Sequence, residues 1–142
     1  MKHRMFVYGT LKRGYPNFDV GMNGTEFVGE YRTVEKYPLV IGAPWFTPNL
    51  VDEPGNGHQV RGEVFMATDD AKAFLDHFEA CHIPTGYRCV ERQVESLDGS
   101  ETVTAWVYVR DRLNIEGIVE ELTDNYPLED RYIIPSKRPK AE

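Results

Sequence analysis

Glu79 is the carboxylate whose place in the sequence best suits acid–base chemistry. It follows Leu75 by four residues near the end of a predicted amphipathic helix, about 90° from the centre of the apolar stripe. Partial burial and the negative end of the helix dipole both raise a carboxyl pKa there. A raised pKa suits a group that accepts and then donates a proton near neutral pH. The alternative to a catalytic role is that Glu79 forms an ion pair with a nearby arginine such as Arg88. The stripe consists of Ala71, Phe74, Leu75 and Phe78.

A glycine turn after the first apolar run is the second candidate. The run over residues 5–8, which ends in Tyr8, predicts a buried strand, and Gly9, Thr10 and Leu11 begin a loop. Backbone N–H groups at such a turn can hold either a carboxylate or an oxyanion. The loop matches neither the phosphate-loop motif nor the dinucleotide-binding motif. A glycine loop after a buried strand is a common place for a site, and the choice between the two anions stays open.

Metal binding and a cysteine nucleophile are weaker alternatives. His77 and Cys81 lie four residues apart, a spacing that could form a thiolate dyad or half of a metal site. His58 and His82 are single loop residues, and they add no ligands at a useful spacing. The serines lack the G-x-S-x-G elbow of many serine hydrolases. We expect no metal ion and no cofactor.

Length and charge restrict the class of protein. The 142 residues fit one domain, and a net charge of −7 disfavours nucleic acid as a partner. The basic cluster at residues 137–140 is predicted to be a solvated tail. No apolar run reaches the roughly 18 residues of a membrane span, and residues 1–4 lack the apolar core of a signal peptide. With only two cysteines, we expect a soluble cytoplasmic protein with reduced thiols.

The remaining patterns predict an α+β domain with a small, closed, mostly antiparallel sheet. A helix over residues 71–81 is predicted to begin after Thr68, Asp69 and Asp70, which offer N-cap residues and negative charge for the first turn. Residues 44–57 are expected to be irregular, residues 114–122 to form a short helix, and residues 132–134 to pack on the core. Six strands are predicted, over residues 5–8, 26–33, 38–41, 59–66, 87–96 and 101–110.

Several of these segments together resemble the γ-glutamylcyclotransferase-like family. The resemblance runs from residue 5 to about 110 and is extended by Arg131-Tyr132. It is strongest in residues 6–14 and continues in residues 16–17, 37–41, 60–65, 74–79, 87–88 and 106–108. It implies a small β-barrel flanked by helices. It also implies that Tyr8, Gly9, Thr10 and Leu11 bind substrate and that Glu79 is catalytic. Tyr87, Arg88 and Tyr108 are expected to line the substrate pocket.

The resemblance also implies a reaction. The α-amine of a γ-glutamyl amide attacks its own γ-carbonyl, which forms 5-oxoproline and releases an amine. The similarity is greatest to members that act on γ-glutamyl amines and release, for example, lysine from γ-glutamyl-ε-lysine. Two alternatives stay open: action on γ-glutamyl amino acids, and a non-catalytic member that only binds a small ligand. We expect one domain over residues 1–142, with a C-terminal extension from about residue 113, and a monomer in preference to an oligomer.

Overall fold

The computed structural model describes residues 2–139. Within them, eight strands form one sheet, of which five close into a barrel, and two helices lie beside it. The predicted α+β class, with a mostly antiparallel barrel, is confirmed. The helices are α1 (Phe18–Gly21) and α2 (Asp69–Phe78). The strands are β1 (Lys2–Val7), β2 (Thr25–Tyr37), β3 (Leu39–Gly42), β4 (Thr47–Val51), β5 (His58–Thr68), β6 (Arg88–Ser96), β7 (Thr102–Arg110) and β8 (Ile118–Leu122).

The barrel strands follow the order β1-β5-β2-β6-β7, each antiparallel to the next. β1 then pairs with β7 in parallel at Met5 and Phe6, which closes the ring and leaves none of these five strands with a free edge there. Side chains alternate between two apolar clusters along β1. Phe6 belongs to the larger cluster, whereas Met5 and Val7 pack with Leu75 of α2.

β4 lies in a region, residues 44–57, that the sequence predicts to be irregular. That prediction is wrong for Thr47–Val51 and confirmed for residues 44–46 and 52–57. Pro48 and Asn49 interrupt a strand pattern, because proline lacks an N–H and both residues are depleted in strands. The strand forms because it pairs on both sides, antiparallel with β3 and parallel with β7. Leu50 and Val51 are fully buried as a result.

The predicted helix over residues 114–122 is also wrong. A single 3₁₀ turn, Arg112–Asn114, is followed by β8, which pairs antiparallel with β3. The β-branched residues Ile118 and Val119 favour the extended conformation, and both remain exposed at the edge of the sheet. Pairing with β3 therefore outweighs the weak helical pattern.

Helix α2 begins where its sequence predicts and ends earlier. The Thr68 hydroxyl accepts a hydrogen bond from the Ala71 N–H at 3.2 Å, so the predicted cap is confirmed. The helix ends at Phe78, Glu79 is its C-cap, and Ala80 has a left-handed φ of 58°. Phe74 is 49% exposed, so the buried stripe is narrower than predicted.

Residues 126–138, which we call the C-terminal segment, return across the molecule. Tyr126 is fully buried, and Lys12 Nζ donates to its carbonyl at 2.9 Å. The Ile133 N–H donates to the Trp45 carbonyl at 3.1 Å, so residues 132–134 pack against the β3–β4 connection and not on the barrel core.

The expectation of a solvated basic tail is wrong for Arg138. Its Nε donates to the Ile133 carbonyl at 2.9 Å, and its guanidinium lies 5.7 Å from the Trp45 ring centroid. Lys137 is exposed, and Lys140 lies outside the described residues. Neither α1 nor α2 has the length and apolar content to cross a membrane, nor does any other helix in residues 2–139.

Candidate functional site

A cavity of about 490 Å³ lies beside the loop that follows β1, and its size suits a small-molecule ligand. Five separate segments form its walls: the loop after β1, the β3–β4 connection, the end of α2 with the loop after it, the end of β7 with the following turn, and the C-terminal segment. Its lining includes Glu79 and the loop residues Tyr8, Gly9, Thr10 and Leu11. The fold thus brings both candidates to one place.

The Glu79 carboxylate is half-buried and has no hydrogen bond or ion pair with any residue in the described range. Burial raises its pKa to about 7, and the positive charges of Arg110 and Arg138 oppose part of that rise. The expected dipole contribution is consistent with its place at the helix C-cap. A carboxyl group that is half ionised near neutral pH can serve as base and then as acid.

The loop after α2 holds Glu79 by its backbone. The Glu79 N–H donates to the Leu75 carbonyl at 2.8 Å, and the Glu79 carbonyl accepts from the Tyr87 N–H at 3.2 Å. Gly86 packs so tightly on the Ala80 carbonyl that a Cβ there would overlap it. The chain that leads into β6 therefore contacts Ala80, the residue that follows Glu79.

The loop after β1 presents unused backbone donors. The N–H groups of Gly9, Thr10 and Leu11 donate to no group in the described residues, whereas the carbonyls of Gly9 and Thr10 accept from Lys12 and Asn17. Asn17 is buried and its side-chain amide donates to the Thr10 hydroxyl at 2.8 Å. The loop is therefore held from one side while three amides remain available for an anion.

The Tyr8 hydroxyl forms hydrogen bonds within the protein. The hydroxyl donates to the Tyr108 carbonyl at 2.7 Å and accepts from the Leu50 N–H at 3.0 Å, so Tyr8 joins the end of β1 to β7 and β4. Burial raises the pKa of Tyr8 well above its ordinary value. Its expected contact with substrate thus involves the ring or the backbone, because both functions of its hydroxyl are occupied.

The three residues expected to line the pocket separate into two groups. Tyr87 and Tyr108 line the cavity; the Tyr87 hydroxyl donates to the Pro48 carbonyl at 2.6 Å, and the Tyr108 hydroxyl donates to Asp76 at 2.7 Å. Arg88 does not line it, and its expected place there is wrong.

Arg88 points elsewhere because it has two acidic partners. It is exposed and pairs with Asp52 and Asp111, each at 2.8 Å. The alternative in which Arg88 neutralises Glu79 is therefore wrong as well.

Asn17, Arg110, Tyr132 and Arg138 are among the cavity residues that were absent from the sequence-based prediction of the site. Asn17 and Tyr132 lie in segments that carry the family resemblance, and the Asn17 amide donates to the Tyr132 hydroxyl at 2.7 Å. Arg110 ends a predicted strand, the usual place for a site residue. Arg138 had no local signal, since its contacts join distant parts of the chain.

The metal and cysteine alternatives receive no support. In residues 2–139 no group of three or more His, Cys, Asp or Glu is arranged to hold a metal ion. Burial raises the pKa of Cys81 to about 11 and that of Cys89 to about 12, so both remain protonated and poorly nucleophilic. His77 stacks on His82, with 4.4 Å between ring centroids.

Comparison with known proteins identifies a family. The family model described as "Gamma-glutamyl cyclotransferase, AIG2-like" matches residues 5–131. That range includes Glu79, the loop after β1 and Arg110, and ends just before Tyr132 and Arg138.

Individual relatives agree with the family match. Gamma-glutamylaminecyclotransferase B of Danio rerio is 37% identical over an alignment of 129 positions. The alignment covers 86% of this chain and 66% of the relative, slightly less than two thirds of the relative's length. Gamma-glutamylaminecyclotransferase of Mus musculus is 39% identical over 73% of this chain and 75% of the relative. The crystal structure of an AIG2-like protein from Mus musculus superposes with a TM-score of 0.71 at 38% identity, covering 76% of each chain.

Proposed function

Because this chain belongs to the AIG2-like gamma-glutamyl cyclotransferase family, we propose that it is a γ-glutamylamine cyclotransferase that converts a γ-glutamyl amine into 5-oxoproline and a free amine. The observation that supports the proposal is that a free carboxylate and free backbone amides line the same cavity. Glu79, a carboxylate without a partner among the described residues, lies with three free backbone amides.

Glu79 acts as the base and then as the acid. The substrate α-amine attacks the γ-carbonyl carbon, the new N–C bond closes a five-membered ring, and Glu79 accepts the proton that the amine loses. The bond from the γ-carbon to the leaving nitrogen then breaks, and protonated Glu79 returns a proton to that nitrogen. A pKa of about 7 matches both steps.

Binding geometry supplies the rest of the acceleration. The amine and the carbonyl belong to one molecule, so holding the substrate folded brings them together, and well-oriented intramolecular reactions reach effective molarities of roughly 10⁵–10⁸ M. Amide donors stabilise the oxygen of the tetrahedral intermediate where charge develops. The backbone N–H groups of Gly9, Thr10 and Leu11 are the donors available for this.

The substrate assay distinguishes the proposal from its alternatives. The protein is incubated with γ-glutamyl-ε-lysine, γ-glutamyl-alanine and glutathione, and 5-oxoproline is measured. Release from γ-glutamyl-ε-lysine alone is expected. Release mainly from γ-glutamyl-alanine would assign the chain to γ-glutamyl amino acids instead, and release from none would leave a binding protein.

Glu79→Gln tests the base directly. The change keeps the shape and removes the ionisable group, so turnover is expected to fall by about 10²–10⁴-fold while 5-oxoproline still binds. Turnover is measured by 5-oxoproline release and binding by calorimetry. Near wild-type turnover in the variant would exclude Glu79 as the acid–base group.

The proposal also retains a single domain, with the extension from about residue 113 forming part of it, a monomeric chain and a cytoplasmic location. Both cysteines are free, which fits a reducing compartment. Sedimentation analysis tests the monomer.

A further inference from the structure

Arg110 is a cavity-lining cation without an acidic partner. Its guanidinium forms no ion pair in the described residues, and its Nε is buried without a hydrogen-bond partner. Arg32, Arg92 and Arg112, by contrast, each pair with a carboxylate. A cation that lines a cavity and has no carboxylate partner is left to be neutralised by an anionic ligand group.

The guanidinium is held in one orientation. It lies over the Tyr87 ring, 4.1 Å from the centroid, and Nη1 donates to Asn49 Oδ1 at 3.1 Å. Asn49 is fully buried and its amide donates to the Thr47 carbonyl at 3.0 Å. The backbone is held too, because Arg110 pairs with Val51 of β4. Such pre-organisation lowers the ordering cost of binding.

The chemistry of the donor identifies the ligand group. An arginine side chain binds carboxylates through charge-assisted hydrogen bonds, often two at once. A γ-glutamyl group has one carboxylate, attached to the same carbon as the attacking amine. We infer that Arg110 binds this α-carboxylate, which leaves the amides of Gly9, Thr10 and Leu11 for the γ-carbonyl oxygen. The inference rests on the proposed function and states which group of the protein binds each of the two oxygen-bearing groups of the substrate.

The charges of the cavity agree with this assignment. Arg110 and Glu79 line the same cavity yet form no ion pair with each other. A substrate head group that carries an ammonium and a carboxylate on one carbon is complementary to such a separated pair. Arg138 is the rival cation, but its Nε and Nη2 already donate to the Ile133 carbonyl and the Tyr132 hydroxyl.

A pair of substrates tests the assignment. One is γ-glutamyl-ε-lysine, and the other is 4-aminobutanoyl-ε-lysine, which lacks only the α-carboxylate and cyclises to 2-pyrrolidinone. Both release lysine, so one assay measures both. Charge-assisted hydrogen bonds discriminate by about 10–100-fold each, so the wild type should prefer the first by about 100-fold or more in kcat/KM.

Arg110→Met is expected to reduce that preference below about 10-fold, since both substrates then lack their anchor. The ratio does not depend on the folded fraction of a variant, so loss of stability does not imitate the effect. Arg61→Met removes an exposed arginine without an ion pair and should keep the wild-type ratio. A wild-type ratio in Arg110→Met, or a collapse in Arg138→Met alone, would overturn the inference.

Product binding separates failure of the inference from failure of the proposed function. Calorimetry with 5-oxoproline should show binding to wild type and Glu79→Gln, binding weakened at least about 30-fold in Arg110→Met, and partial recovery in Arg110→Lys. Wild-type protein that turns over no γ-glutamyl amide contradicts the proposed function. Unchanged 5-oxoproline affinity in Arg110→Met contradicts the role of Arg110 alone.

Discussion

At the scale of single residues, the site depends on polar groups that the fold leaves without partners. Glu79 has no ion pair, and the neighbouring amides of Gly9 and Thr10 donate to nothing in residues 2–139. The hydroxyls of Tyr8 and Tyr87, by contrast, are fully used inside the protein. The residues that hold the shape and those that face the ligand are thus largely different, although the two tyrosines adjoin the same cavity.

The pKa of Glu79 predicts the acidic limb of the pH profile. The base must be ionised to accept a proton, so kcat/KM is expected to fall as the pH drops below about 7. Arg110 is a positive charge that lowers the pKa of Glu79, and Arg110→Met removes it. The acidic limb of the kcat/KM profile of Arg110→Met should therefore lie at higher pH than that of the wild type. The substrate amine titrates identically with both proteins and serves as the internal reference. A wild-type limb centred near the ordinary glutamate value of 4.5 would contradict the prediction.

Gly9 leaves no room for a side chain. A Cβ there would lie 2.5 Å from Cγ of Pro48, a rigid ring on β4. Gly9→Ala should therefore displace the loop, raise KM and lower the free energy of unfolding by about 1–3 kcal/mol. Gly14→Ala is a poor control because its φ is positive, so Ala73→Gly at an exposed helix site provides the comparison of stability alone. If both KM and the free energy of unfolding are unchanged in Gly9→Ala, the prediction is wrong, and Pro48 of β4 moves aside to accommodate the added methyl group.

At the scale of elements, pairing across the chain decides what local patterns leave undecided. The apolar run of β1 and the Thr68 cap of α2 are local signals, and both elements form where they predict. β4 contains Pro48 and Asn49, so its extended form depends on β3 and β7, which the local pattern does not contain. The place of Glu79 near a helix end was predictable, whereas its lack of a partner required the positions of Arg88 and Arg110.

Hydrogen bonds from Lys12 connect the loop after β1 to the start of the C-terminal segment. The buried Lys12 Nζ donates to Asn125 Oδ1 at 3.1 Å and to the Tyr126 carbonyl at 2.9 Å, and burial lowers its pKa to about 8. Lys12→Met keeps an unbranched side chain, shorter by one atom, and removes both bonds. Because the segment supplies Tyr132 and Arg138 to the cavity, KM is expected to rise several-fold with a smaller change in kcat.

Steady-state kinetics on γ-glutamyl-ε-lysine measures this effect. Lys36→Met, at an exposed position of β2, is the matched control and should leave KM unchanged. An equal fall in kcat and kcat/KM in Lys12→Met would instead indicate that Lys12 acts on the transition state.

At the scale of the whole molecule, folding raises the pKa of most tyrosine hydroxyls. Seven of the eight tyrosines have a raised pKa, with burial as the largest cause in each. Above pH 10 the folded protein therefore holds more protons than the unfolded chain. Its free energy of unfolding must fall as the pH rises through that range.

An alkaline titration checks this sign. Tyrosinate absorbance is expected to appear well above pH 10, together with a cooperative loss of the circular dichroism of the barrel. The unfolded protein in denaturant is the control and should titrate near 10. Ionisation of most tyrosines near pH 10 with the fold intact would contradict the prediction.

The separate origin of the cavity walls has a practical consequence for redesign. Glu79, the loop after β1 and Arg110 are held by the barrel and α2, whereas Trp45, Tyr132 and Arg138 belong to the β3–β4 connection and the C-terminal segment. A directed-evolution library confined to residues 43–47 and 127–138, with Tyr132 and Arg138 kept, would vary two of the five walls and leave Glu79, Arg110 and the loop after β1 unchanged in sequence. Such libraries should change which amine is released before they change whether the ring closes.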